Sequence, residues 1–205
     1  MKFDGHRGFY KSQRLPHFDS AGLIQFVTIA LADAAPKTRK PLTAGSKQNS
    51  DQQFMEMDSI LDTSRGVCLF RMPRLAWIAG DLARQGEYLG CIPLAWVIMP
   101  NHAHLLFGQT KGTMLSEVVR KFKGRSAYLI NAETGKSGKV WQKGYFDRAM
   151  RDLNHFAATL EYIHENPVKA GLASRAEDWK QSSIHDTSLE LAISVIEQKG
   201  LLSVS

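Results

Sequence analysis

Two strand-like runs, "YLGCIPLAWVIMP" (Tyr88–Pro100) and "HAHLLFGQ" (His102–Gln109), meet at the turn dipeptide Pro100-Asn101. Together they predict a β-hairpin, and any fold open to this chain has to be built around it. The second strand begins on His102 and His104. Side chains alternate faces along a strand, so both imidazoles share one face and Ala103 takes the other. Two imidazoles aimed at one point make a candidate metal grip. Equally, they are two half-buried strand residues with no chemistry, since histidine is common in sheets.

The flanking segments set the fold class. "GLIQFVTIALA" (Gly22–Ala32) is rich in β-branched and aromatic residues and reads as a strand. Beyond it the chain turns polar with Pro, Gly and Ser, and residues 36–50 are expected to be a flexible loop. "DQQFMEMDSILD" suggests a short helix striped by Phe54, Met57 and Ile60. "RMPRLAWIAGDLARQGE" suggests a second, with Pro73 in its first turn and Leu75, Ile78 and Leu82 along one side. "TMLSEVVRKFKGRSAYLINAE" is strongly amphipathic, with Leu115, Val118, Val119, Phe122 and Leu129 as its apolar stripe. "KVWQKGYF" is a candidate last strand. "RDLNHFAATLEYIHEN" follows as a helix expected to end at Pro167 and Gly171, and residues 185–200 as a terminal helix. That order predicts one α+β domain over residues 1–205, with helices packed on one face of an antiparallel sheet.

Composition narrows the class without naming a function. Of 205 residues, 43% are hydrophobic and 22% charged, as in a globular protein long enough to bury a core. No window approaches the ~18 apolar residues of a membrane span, and the charged N-terminus lacks the apolar segment of a secretory signal. A cytoplasmic protein without membrane partners is expected. Cys68 and Cys91 have neither metal nor disulfide spacing and read as buried thiols. The net charge of +6 favours polyanionic partners, nucleic acid among them.

The histidines need a third ligand and a reaction. The helix ending "EYIHENP" carries Tyr162 and Asn166, four residues apart and so neighbours on its surface. They border the stripe of Leu153, Phe156, Leu160 and Ile163. A phenol of pKa ~10 is a weak nucleophile unless a metal or a basic group favours its oxyanion. Each of these residues has a plainer reading: tyrosine as packing, Asn166 as a helix-end residue, and the Arg120, Lys121, Lys123, Arg125 run as a solvated face. His164 falls on another helix face from Tyr162 and is left out of the site.

"MPNHAHLLF", "VWQKGYFDRAMRD" and "YIHENPVKAGL" resemble, in order and spacing, the HUH single-tyrosine transposases, and most of all the branch associated with repetitive extragenic palindromes (REP). "RLPHFDSAGLIQFVTIALADA" and "EDWKQSS" extend the resemblance over roughly Arg14 to Ser183. It implies a ferredoxin-like fold and a substrate of single-stranded DNA carrying a hairpin. It further implies His102 and His104 as the histidine–hydrophobic–histidine ligands, Asn166 as third ligand to Mg²⁺ or Mn²⁺, and Tyr162 as nucleophile. Its product would be a 5′-phosphotyrosine that can be rejoined without ATP.

Lesser roles follow. Arg120, Lys121, Lys123 and Arg125 are candidates for phosphate contacts, and Trp141 and Gln142 for stacking on, or hydrogen bonding to, an unpaired base. Trp141 is equally a core candidate. Arg151 either meets a phosphate or pairs with Asp147. Tyr145 is the rival nucleophile. A catalytically silent hairpin-DNA-binding relative is the alternative function, and either a monomer or a homodimer fits.

Overall fold

The computed structural model describes residues 7–12, 15–34, 60–62 and 66–202. The loop expected at 36–50 lies outside them, as does the predicted helix that follows it, apart from the helical residues 60–62. A two-stranded hairpin, β1 (Gly8–Ser12) and β2 (Leu15–Asp19), precedes the main sheet. Four antiparallel strands build that sheet: β3 (Ile24–Ala30), β4 (Cys91–Met99), β5 (His102–Gln109) and β6 (Phe146–Ala149). Their order is β4-β5-β3-β6. The α+β class expected from the sequence holds, with the antiparallel sheet and packed helices of a ferredoxin-like domain.

β4 and β5 form the expected hairpin around Pro100-Asn101, with Met99 opposite His102 and Val97 opposite His104. Its register shifts between Pro93 and Ala95. A proline cannot donate to the ladder, so an irregularity there costs little pairing.

The helices cover both faces of the sheet, which corrects the one-face expectation. Val27, Ile29, Trp96, Ile98, Ala103, Leu105 and Phe107 form one core with α1 (Pro73–Arg84) and α3 (Leu115–Thr134). Ile24, Phe26, Val97, Met99 and Leu106 form a second core with α4 (Leu153–Lys169) and α5 (Leu189–Lys199). The cause lies in the strands. β3 and β5 are buried at every position, and a strand apolar on both sides has to be covered on both. A single-turn helix, α2 (Gly86–Leu89), leads into β4.

Two boundaries differ from expectation. The last strand begins at Phe146, after "KVWQKGY" rather than within it; Trp141 makes only an isolated bridge, to Leu31. The intervening backbone is held by a side chain instead, the Lys123 ammonium donating to the carbonyls of Gln142 (2.5 Å) and Gly144 (3.0 Å). Further on, α4 runs through Pro167 to Lys169. A proline in the last turn forfeits a single backbone hydrogen bond, and the Ala170 amide still reaches the Asn166 carbonyl at 2.9 Å.

Candidate active site

β5 and β3 place the first pair of groups. Thr28 lies directly opposite His104 and Ala30 opposite His102. Both imidazoles are fully buried on the sheet face that packs against α4, while Ala103 points into the other core.

Their tautomers follow from their neighbours. Asn101 donates its side-chain amide to the Leu61 carbonyl at 3.0 Å, which turns its Oδ1 toward His102 Nδ1 at 2.8 Å. An amide oxygen can only accept, so His102 carries its proton on Nδ1 and leaves Nε2 as a lone pair. Thr28 Oγ1 meets His104 Nδ1 at 2.9 Å, and a hydroxyl can either donate or accept there. The two Nε2 atoms face each other at 3.1 Å. With Nδ1–H donated on both rings, two lone pairs converge, an arrangement a cation stabilises; without one, His104 can turn an Nε2–H toward its neighbour. Burial pushes the His102 imidazole down to about 3 and His104 well below its ordinary value, the latter also through His102. Both rings are therefore neutral at physiological pH, the state a metal ligand requires.

α4 supplies the rest. Asp152 caps it, accepting from the His155 amide, and Phe156, Leu160 and Ile163 anchor it on the sheet. Tyr162 then packs its ring edge against His104 (centroids 5.8 Å) and Phe26 (6.1 Å). Asn166 is fully buried, and its amide donates to Tyr162 Oη at 2.9 Å. That bond leaves Asn166 Oδ1 buried without a hydrogen-bond partner, and such an oxygen is costly unless something accepts its lone pairs. Lys169 places its ammonium over the face of the Tyr162 ring, 5.1 Å from the centroid. The nucleophile candidate, the histidine pair and Asn166 thus come together within one chain.

Neutral imidazoles and an orphaned amide oxygen fit a divalent cation. Among the described residues, no three His, Cys, Asp or Glu side chains enclose such a centre by themselves, so the third donor falls to the amide. His164 faces elsewhere, its Nε2 within 3.0 Å of Ser183 Oγ.

Several predicted DNA contacts lie apart from this face. Arg120, Lys121 and Arg125 belong to α3, whose apolar side packs on the opposite core. Arg120 and Lys121 approach Glu117 at 3.9 and 3.5 Å, and Arg125 lies over the Tyr128 ring. Lys123 departs from the expected solvated face, because its ammonium is spent on two loop carbonyls. Trp141 takes the core reading, not the base-stacking one. It is 6% exposed, packed between Phe70 and Phe122, and its indole donates to Ser126 Oγ at 2.9 Å. Gln142 is partly exposed, its backbone amide paired with the Ala30 carbonyl beside the start of the histidine strand. Arg151 is exposed at the foot of α4, and Asp147 takes His17 as its hydrogen-bond partner.

Tyr145, the rival nucleophile, bonds Tyr10 Oη at 3.0 Å on the far edge of the sheet, beside His17. Burial, Tyr10 and Asp147 all raise its phenol above the ordinary value.

Three site residues escaped sequence reasoning. Asn101 reads as half of a turn signal and Thr28 as a strand residue. Asp62 sits in a segment read only for its apolar stripe. Its Oδ1 lies 3.9 Å from His102 Nε2, and burial pushes its carboxyl up to about 6.

Residues 82–166 match the family described as Transposase IS200 like. The chain is 27% identical over 92 residues to the REP-associated tyrosine transposase of Escherichia coli K12, covering 44% of this chain and 53% of that one. It is 30% identical over 108 residues to a Haemophilus influenzae protein provisionally given the same name, covering 45% and 58%. The chain thus spans a little over half the length of these relatives. Its fold is similar to that of a solved REP-associated tyrosine transposase bound to a REP hairpin, with a TM-score of 0.51, 20% identity and coverage of 82% and 81%. The matched segment contains the whole histidine strand and ends on Asn166, and over it this chain is similar to the IS200-like transposases and to the REP-associated tyrosine transposases.

Proposed function

We propose that this chain cleaves and rejoins single-stranded DNA carrying a hairpin, with Tyr162 as the nucleophile and His102, His104 and Asn166 as ligands of Mg²⁺ or Mn²⁺. One observation carries the reading. Two buried, neutral imidazoles converge at 3.1 Å on the face where Tyr162, bonded to Asn166, packs its ring. A structural pair of histidines would need neither the tyrosine nor the orphaned amide oxygen beside it.

When bound, the ion polarises the scissile phosphate and offsets the charge that develops on it. The chain's own groups do the rest. Asn166 donates to Tyr162 Oη and fixes the line along which the oxygen approaches phosphorus. Tyr162 Oη forms the new P–O bond as its proton passes to solvent, from which the leaving oxygen is in turn protonated. The P–O3′ bond breaks, and the leaving oxygen takes up a proton to become a free 3′-OH. The 5′-phosphotyrosine retains the bond energy, so a 3′-OH attacking the same phosphorus reverses the step without ATP. The Lys169 ammonium beside the ring favours a phosphodiester there. Both halves of the site lie on one chain, so a monomer suffices for the chemistry.

Single-stranded hairpin DNA drawn from the flanks of the chain's own gene, labelled and incubated with Mn²⁺ or Mg²⁺, tests the reading. A covalent protein–DNA adduct that requires the metal and vanishes in Tyr162→Phe is expected. Tight hairpin binding without an adduct would favour a silent DNA-binding protein. Cutting that survives Tyr162→Phe would remove Tyr162 from its role.

A further inference from the structure

The four strands of the main sheet hold a single lysine or arginine between them, Arg148 of β6. A guanidinium stays charged at physiological pH and has to keep water or an anion beside it. Strand register says where this one stands. Arg148 lies directly opposite Phe26 of β3, and residues so paired point to the same side of an antiparallel sheet. Two positions on from Phe26, Thr28 lies opposite His104. Arg148 therefore projects from the face that carries the histidine pair, one strand spacing (~4.8 Å) beyond Phe26. Its neighbour Asp147 shows the alternation, lying opposite Val27 of the other core and bonding His17.

Phe26 connects that position to the candidate nucleophile. Its ring lies 5.3 Å from the His104 ring and meets the Tyr162 ring edge-on at 6.1 Å, centroid to centroid. β6 is the outer strand of the sheet, and its four residues are partly exposed where β3 and β5 are buried throughout. Arg148 thus brings a permanent cation from the sheet to the rim of the site, as Lys169 brings one from α4 over the Tyr162 ring. Two cations on separate elements, flanking one tyrosine, match a strand that carries a charge at every nucleotide. Lys169 faces the phosphodiester beside the ring, and Arg148 the one next to it.

We propose that Arg148 grips the phosphate next to the scissile one, through charge-assisted hydrogen bonds from its guanidinium, and so sets which phosphodiester of the single strand lies at Tyr162. The inference rests on the functional reading above for the scissile position. The grip is on the DNA backbone, independent of base sequence, and moves no proton or bond.

A scan of one uncharged methylphosphonate along the unpaired flank of the hairpin DNA, with binding to the full chain measured without metal, tests the grip separately from cleavage. In wild type, the modification next to the linkage that forms the adduct is expected to weaken binding roughly 10-fold. Arg148→Ala should weaken binding of unmodified DNA by a similar factor and lower the log–log salt slope by about 0.7. It should also lose the penalty at that one position, because two changes that remove the same contact do not add. Arg148→Lys, which keeps the charge, should restore the slope and part of the affinity, and Arg148→Gln carries the test if Arg148→Ala does not fold. Penalties at every position equal to those of wild type, in both Arg148→Ala and Arg148→Gln, would overturn the proposal. So would a lowered melting temperature with hairpin affinity and salt slope intact, which assigns Arg148 a purely structural role. A lost penalty many nucleotides from the adduct linkage, or a wild type that binds no hairpin DNA, would overturn it equally. A penalty lost at one position in Arg148→Ala, with no adduct on any hairpin, would support the grip while sinking the cleavage reading.

Discussion

Two tyrosines compete for the role of nucleophile, and their surroundings separate them. Tyr145 is half-buried against His17, shares a hydrogen bond with Tyr10 and lies near Asp147, all in surroundings that hold its phenol protonated. Tyr162 stands beside the histidine pair with an amide donor on its oxygen and an ammonium over its ring. Tyr145→Phe is therefore expected to keep the adduct-forming rate within a few-fold of wild type, at a cost in stability of about 1 kcal/mol for the missing hydrogen bond. Adduct yield beside Tyr162→Phe reads the difference directly. At this scale the sequence displayed the candidate reacting groups but not their supports. His102, His104, Tyr162 and Asn166 stand out because their spacing within one strand and one helix is itself the signal. Thr28, 76 residues from the histidine it serves, acts only through strand register. Asn101 and Asp62 matter only because a carbonyl at Leu61 comes to lie against the hairpin turn.

Helices and strands were legible where periodicity was strong, and less so where one side chain decided an edge. α1, α3, α4 and α5 form where their apolar spacing placed them. The start of β6 did not, because Lys123 pins the preceding carbonyls and delays regular pairing. The cover on both sheet faces was present in β3 and β5, whose apolar residues point to both sides, Phe26 and Leu106 to one core and Val27, Ile29, Leu105 and Phe107 to the other. Two glycines test the packing. A Cβ on Gly86 would meet Pro93 Cδ at 2.4 Å and the Cys91 carbonyl oxygen at 2.6 Å, neither of which can swing away. A Cβ on Gly124, inside α3, would meet nothing. Gly86→Ala is expected to cost about 1–3 kcal/mol through overpacking. Gly124→Ala should stabilise by ~0.5–1 kcal/mol through helix propensity. Urea midpoints of the two variants should move in opposite directions.

Across the whole molecule, charge and chemistry are segregated. The exposed guanidinium of Arg120 and its neighbours Lys121 and Arg125 ride on the helix layer behind the sheet, away from Tyr162. If they hold the DNA backbone, the hairpin wraps an edge of the domain to reach both surfaces. Neutralising Lys121 and Arg125 together should weaken hairpin binding and flatten its salt dependence, the log–log slope falling by roughly 0.7–0.9 for each phosphate no longer neutralised. The adduct rate at saturating DNA should stay unchanged. Binding isotherms across a salt series, beside single-turnover rates, separate the two effects, and an unaltered slope would return these residues to a merely solvated face. The bond between Asn166 and Tyr162 Oη carries a different consequence. Tyr162 and Asn166, the proposed nucleophile and ligand, share one turn of one helix, so neither travels without the other. In the mechanism proposed above, a tyrosine bearing a severed strand could not be handed elsewhere while the ligand beside it stayed in place, and a chain so built would keep custody of the broken end until a 3′-hydroxyl came to claim it.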